Sequence, residues 1–237
     1  MIAAIALACL DEECHQILYP RWRGILDGAT LTDDTRAYWD PMGDTKRKHL
    51  VHRCFVDSDD PKDHGAIEHL FNYSTGTVEF VPLFLNGSLK DAYDEVSFLE
   101  NFGMYIGIVS HHICDLCTPV HVGHKLNYER LGFPSLSRFH SQVERDIAQY
   151  VRTGQVTIPE PSKVSLTEEY FWMIAKTTYA EHFTVLEDIY RDKDQEAVIA
   201  MSRRVSSRAL KHTVDVWSTI ISESGIKEHK WTTEPLI

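Results

Sequence analysis

Positive charge is in short supply in this chain: Lys and Arg together number 24 against 35 Asp and Glu, leaving a net charge of -11. That balance argues against holding nucleic acid or anionic membrane on a broad basic surface, since such binding relies on Lys and Arg replacing counterions. Bound divalent cations would offset part of the negative charge. Cysteine is sparse and odd in number, with Cys9, Cys14, Cys54, Cys114 and Cys117. A disulfide framework is a poor explanation for five cysteines in a chain of this size, and reduced thiols are the simpler reading. Long apolar runs are missing too. The opening Met1 to Leu10 is apolar, but it has no basic stretch ahead of it and runs directly into Asp11-Glu12-Glu13. It reads as a buried helix start, because a spanning helix needs ~18 consecutive apolar residues. No other segment offers that many, so the expectation is a soluble chain without a transmembrane segment. Strand-like alternation is absent except weakly at Thr77 to Phe84, and there is no internal repeat or low-complexity tract.

What the sequence does contain is helical periodicity. With 237 residues and 43% hydrophobic content, the chain can bury one substantial core, and residues 1–237 read as one domain. Residues 3 to 26 carry Ile5, Ala8, Cys9, Ile17, Leu18, Trp22, Ile25 and Leu26 at helical spacing, broken at Pro20 and ended by Gly28, as one helix or two short ones. From Asp27 to Gly87 the pattern gives way to Asp, Gly, Pro and Thr clusters, which predict a long irregular connection; loops of that length are usually functional. Leu89 to Cys117 then returns to three- and four-residue apolar steps behind Ser88 and Asp91, predicting a long buried helix that ends near Pro119. Further helices are expected over about 135 to 152, 165 to 191 and 195 to 223. The fold class is therefore all-α, a multi-helix bundle with one long irregular loop region.

Chemistry concentrates in two spacings. His111 and Asp115 stand four residues apart in the predicted buried helix, so both emerge on one face, one turn apart. His140 and Glu144 repeat that spacing on the next helix, and His121 follows Asp115 just beyond the Pro119 break, where the chain can turn back. Imidazole and carboxylate are ligands that zinc accepts, and catalytic zinc keeps only about three protein ligands so that water takes the open position. A single such pair arises often by chance. Two pairs with a flanking His, set among apolar neighbours where an unpaired charge is costly, point to a metal cluster.

The run His111-His112-Ile113-Cys114-Asp115-Leu116-Cys117-Thr118-Pro119-Val120-His121 resembles the His-x-x-x-Asp-x-x-x-Pro-x-His signature of the zinc-dependent phospholipase C family, a superfamily shared with the fungal single-strand nucleases. Phe139-His140-Ser141-x-x-Glu144 is similar to the second helical pair of the phospholipase branch. The resemblance implies the multi-helix bundle of phospholipase C and single-strand nuclease. It assigns His111 and Asp115 to a two-metal pair, with Asp115 bridging, and His121, His140 and Glu144 to another zinc. Asp33, in Gly28 to Asp33, corresponds to a further carboxylate that orients or deprotonates the attacking water, with Asp34 as its alternative; His52 corresponds to a further His ligand, with His49 as its alternative. A fainter echo runs from Arg203 to Trp217. Too few residues precede Asp33 to hold the family's full N-terminal helix, so two or three zinc ions are implied.

The activity implied is hydrolysis of a phosphodiester, a zinc-bound hydroxide attacking phosphorus in line. The substrate implied is a phospholipid or another small phosphodiester. The alternatives are a single-strand nuclease or nucleotidase with the same metals, for which alone nucleic acid would be a partner, and a non-catalytic zinc-binding protein. The family is often secreted.

Other features have plainer readings. Cys114-x-x-Cys117 lacks the strand-helix-strand context of a redox motif and reads as packing thiols. His112 points about 100° round the helix from His111, which suits core packing or a hydrogen bond behind the ligands. Asp57, Asp59, Asp60 and Asp63 lack the Gly and terminal Glu of a calcium loop and read as an acidic turn. Lys46-Arg47-Lys48 reads as a solvent-facing cluster. His15, His64, His69 and His124 are read as surface or loop residues, and His182, His212 and His229 as structural or exposed. Tyr170, Phe171, Trp172, Phe183, Tyr190 and Trp217 follow helical spacing, which favours core over a base-stacking platform.

Overall fold

A computed structural model describes residues 1–31, 54–67, 70–71, 95–157 and 159–224. Its architecture is helical throughout, with no strand among the described residues, in keeping with the all-α expectation. The weak alternation at Thr77 to Phe84, the proposed cap at Ser88 and Asp91, and Lys46 to Lys48 lie outside the described residues, as do Asp33, Asp34, His49, His52, His69 and His229.

The N-terminal periodicity resolves into helices α1 (Ile2–Cys9), α2 (Glu12–Leu18) and α3 (Trp22–Leu31), the last two joined by a 3-10 turn over Tyr19–Arg21. Asp11 starts α2 by accepting the backbone N–H of Cys14 at 2.8 Å, with Glu12 and Glu13 favourably placed in the first turn. Pro20 falls in the 3-10 turn, where its missing N–H costs little. Helix α3 corrects one expectation: it runs through Gly28 to Leu31 rather than ending at Gly28. The reason is tertiary, since Gly28 is buried against Gly107 of the next long helix and is there for close approach, not for termination.

Helix α4 (Glu95–Cys117) is the central strut, packing against α1, α3 and the C-terminal helices, and the four-residue helix α5 (Pro119–Val122) follows after Thr118. Pro119 occupies the first helical position, where its fixed φ starts a helix instead of only ending one. Helix α6 (Leu136–Arg152) buries Phe139, Val143, Tyr150 and Val151 along one stripe, capped by Ser135 on the N–H of Arg138 at 3.3 Å. The stretch expected as one helix over 165 to 191 is α7 (Glu168–Thr178), a π-helical turn (Tyr179–Phe183) and α8 (Thr184–Arg191). Helix α9 (Gln195–Ser224) closes the bundle on α1, α4 and α6.

Two ties hold α9 in register with the rest. The buried indole N–H of Trp217 donates to the Ile106 carbonyl of α4 at 3.1 Å. Across the Pro159 and Pro161 break, Asp215 accepts the backbone N–H of Ser162 at 2.9 Å and the Lys211 ammonium at 2.6 Å, clasping the extended segment to the helix. Phe171, Phe183 and Trp217 are buried, while Tyr170, Trp172 and Tyr190 pack partly buried against them, so this aromatic set is core. None of the described helices is long and apolar enough to cross a membrane.

Candidate metal centre

Helices α4, α5 and α6 each carry part of one cluster. On α4, His111 Nε2 lies 3.3 Å from Asp115 Oδ2, as the four-residue spacing requires. On α6, His140 Nε2 lies 3.6 Å from Glu144 Oε1 by the same rule. Helix α5 joins them: His121 Nε2 lies 3.6 Å from Asp115 Oδ1, 3.3 Å from Glu144 Oε1 and 3.0 Å from His140 Nε2. All five described residues expected to be ligands thus meet at one place. His121, His140 and Glu144 form a group that could hold a metal ion, with ligand atoms all within 4.8 Å of one another.

The turn into α5 is built by local bonds. The Thr118 N–H donates to the Asp115 carbonyl at 2.9 Å, its hydroxyl to the Cys114 carbonyl at 2.8 Å, and the His121 N–H to the Thr118 carbonyl at 3.0 Å. A second segment runs alongside: Cys54 N–H donates to His121 O at 3.2 Å and Val56 N–H to Val122 O at 2.8 Å. Burial falls across the cluster, from an Asp115 side chain 9% exposed to a Glu144 side chain 47% exposed, so solvent reaches it from the α6 side.

The electrostatics follow from that placement. Burial alone would pull the His121 imidazolium down in pKa, but the charge of Asp115 and the hydrogen bond and charge of Glu144 reverse this and raise it. Burial pushes Glu144 up, yet the His121 hydrogen bond and the charges of His140 and His121 outweigh it and hold the carboxyl below its usual range. His111 is oriented from behind, its Nδ1 lying 3.0 Å from the Ala29 carbonyl of α3. A carbonyl only accepts, so Nδ1 carries a hydrogen, and the ring is held with Nε2 facing Asp115.

The remaining candidates sort away from the cluster. His112 is buried and packs edge-on to the His111 ring at 5.8 Å between centroids. His15 stacks on Tyr19 at 4.9 Å. His64 braces the loop through the Phe55 and Ser58 carbonyls at 3.2 and 3.0 Å. Asp57 accepts from the His124 ring at 2.9 Å and the Lys125 N–H at 3.1 Å, Asp60 caps the 3-10 turn Pro61–His64, and Asp63 accepts from Ser58 Oγ at 2.7 Å, so the acidic run is a hydrogen-bonded turn. Burial pushes the Cys114 thiol up to about 12, helped by Asp115, and burial also raises Cys117 well above its ordinary value, so neither is poised as a thiolate. All five cysteines are free thiols. Two features escaped the sequence reading: the Ala29 carbonyl behind His111, and the 54–56 segment beside α5. The spacing of Gly103 and Gly107, four residues apart ahead of His111, was the available signal for the first.

No protein-family model, no curated protein and no solved structure matches this chain.

Proposed function

We propose that this protein is a zinc-dependent phosphodiester hydrolase of the phospholipase C type. The observation that carries the reading is the triangle of donor atoms at His121, His140 and Glu144, with edges of 3.0, 3.3 and 3.6 Å. Two donors on one tetrahedral zinc, each at 2.0–2.1 Å, lie ~3.3 Å apart, which suits this triangle. Two imidazoles and one carboxylate are also the protein complement of an open catalytic site. The His111–Asp115 pair beside it, with Asp115 reaching toward both His111 and His121, suits a carboxylate shared between ions.

When bound, zinc lowers the pKa of water and neutralises charge on phosphate oxygens. His121, His140 and Glu144 would hold one ion, and His111 and Asp115 would contribute to its neighbour. Asp33 and His52 are further proposed ligands, Asp33 orienting or deprotonating the attacking water. The described residues near them in sequence support this, since Ala29 touches His111 and Cys54 touches His121. His140 and Glu144 are the more exposed members of the cluster, which supports approach of a substrate from their side. Asp115 is buried between two imidazoles, where its attraction for a bound cation would be stronger than in water.

The test is turnover by purified, zinc-loaded protein of phosphatidylcholine, a soluble phosphodiester and single-stranded DNA, side by side. Zinc-dependent release of phosphocholine or of the soluble leaving group is expected. Turnover of DNA alone would replace this reading with the nuclease one, and turnover of nothing would leave a zinc-binding protein.

A further inference from the structure

We infer that Gly107 is a positioning residue for the His111 ligand, acting by letting α3 approach α4 closely enough for the Ala29 carbonyl to fix the His111 ring. The role in metal binding rests on the metal-centre reading above; the role in fixing the ring does not.

Gly103, Gly107 and His111 follow one another at four-residue steps on α4, so they share one face, and that face is turned to α3. A Cβ at position 107 would lie 2.1 Å from the Ile25 carbonyl oxygen, 2.8 Å from the Ala29 nitrogen and 3.0 Å from the Gly28 carbonyl carbon. All three are backbone atoms of a helix, which cannot swing aside as a flexible side chain would. One turn earlier, a Cβ on Gly103 would lie 2.9 Å from Arg21 Cβ and 3.0 Å from its carbonyl oxygen. The two helices therefore touch backbone to backbone at Gly107, and the next residue along the seam is the ligand.

What α3 offers at that point is a backbone carbonyl, that of Ala29, which faces α4. His111 Nδ1 takes it at 3.0 Å. The bond keeps a hydrogen on Nδ1 and holds the ring with Nε2 facing Asp115. Relieving a 2.1 Å approach to ordinary contact would shift α3 by roughly 1 Å, enough to carry a 3.0 Å bond beyond the ~3.5 Å limit of a hydrogen bond.

The experiment uses Gly107→Ala and Gly103→Ala in the full chain, with far-ultraviolet circular dichroism reporting the fold. The first readout is long-range nitrogen–proton NMR of the His111 ring in metal-free protein. Wild type is expected to hold hydrogen at Nδ1, and Gly107→Ala to shift population to hydrogen at Nε2. The second is zinc titration resolved by native mass spectrometry. Gly107→Ala is expected to weaken the ion on His111 and Asp115 by roughly 10- to 100-fold, the usual consequence of losing the partner behind a ligand, and to leave the His121, His140 and Glu144 ion within about 3-fold. A folded Gly107→Ala with an unchanged tautomer overturns the inference, as does an equal loss at both ions, which would mark a structural role only. If Gly107→Ala does not fold, Gly103→Ala decides by the same two readouts, with a smaller change in the same direction expected. Absence of zinc binding by wild type would defeat the metal-centre reading, while the tautomer in metal-free protein would still decide the role of Gly107 in fixing the ring.

Discussion

The Nε2 atoms of His121 and His140 face each other at 3.0 Å, one from the short helix α5 and one from α6. Two neutral imidazoles can share that contact only if one nitrogen keeps its hydrogen, whereas a cation between them lets both present lone pairs. With Glu144 Oε1 at 3.3 and 3.6 Å from the pair, the three donors form a group that could hold a metal ion.

His121→Ala and His140→Ala should therefore each remove the ion held with Glu144. Losing a ligand outright should cost more than the roughly 10- to 100-fold in affinity that follows from losing a residue behind one. Chelator competition with a zinc-sensitive dye checks this, and full zinc occupancy in both variants would show that the triad is not a metal site.

Asp115→Asn should have a wider effect than Glu144→Gln. Asp115 sits within 3.3 Å of His111 and 3.6 Å of His121, so removing its charge is expected to weaken both ions, while Glu144→Gln weakens one. Zinc stoichiometry by native mass spectrometry reads the difference. A defect at a single ion in Asp115→Asn would contradict the bridging role.

Gly123→Ala should disturb the cluster from below. A Cβ there would come within 2.5 Å of the Phe183 ring, which the π-helical turn Tyr179–Phe183 presses against the end of α5. Overpacking of this kind costs about 1–3 kcal/mol. Urea denaturation should show that loss, and zinc titration should show weaker binding at His121, two residues away. Wild-type stability and affinity in the variant would mean that Phe183 turns aside freely.

Acid should destabilise the fold through His182 and His212. Burial, then the charges of Arg208 and Arg204, pull buried His182 down to about 4, and burial pulls His212 to about 4 against the charge of Asp215. Both are neutral when folded, at a pH where unfolded imidazoles near ~6.5 already bind protons. Their contribution is thus complete above pH ~6.5 and lost as pH falls toward 4, on the order of 2 kcal/mol for His182. Urea midpoints between pH 7 and 4.5 should decline in wild type and decline less in His182→Gln. Parallel curves would remove His182 from the account.

Much of the cluster was legible beforehand because four-residue spacing on a helix is a geometric constraint. His111 with Asp115, and His140 with Glu144, had to share a face once their helices formed. The aromatic set was legible as core for the same reason. Gly28 was misread as a helix end because a glycine's local preference says nothing about a neighbouring helix, and here Gly107 of α4 needs the space. Likewise the long pattern over 165 to 191 concealed the π-helical turn, whose extra residue per turn leaves no mark on apolar spacing that short.

Sequence alone determined which residues are paired on each helix and that the chain builds helices, since both follow from periodicity and side-chain type along one backbone. Tertiary structure decided that the two pairs meet, that His121 stands between them, and that Ala29 orients His111. Those relations depend on how far apart helix axes lie and where a turn returns the chain, and such distances are set by packing among residues remote in sequence.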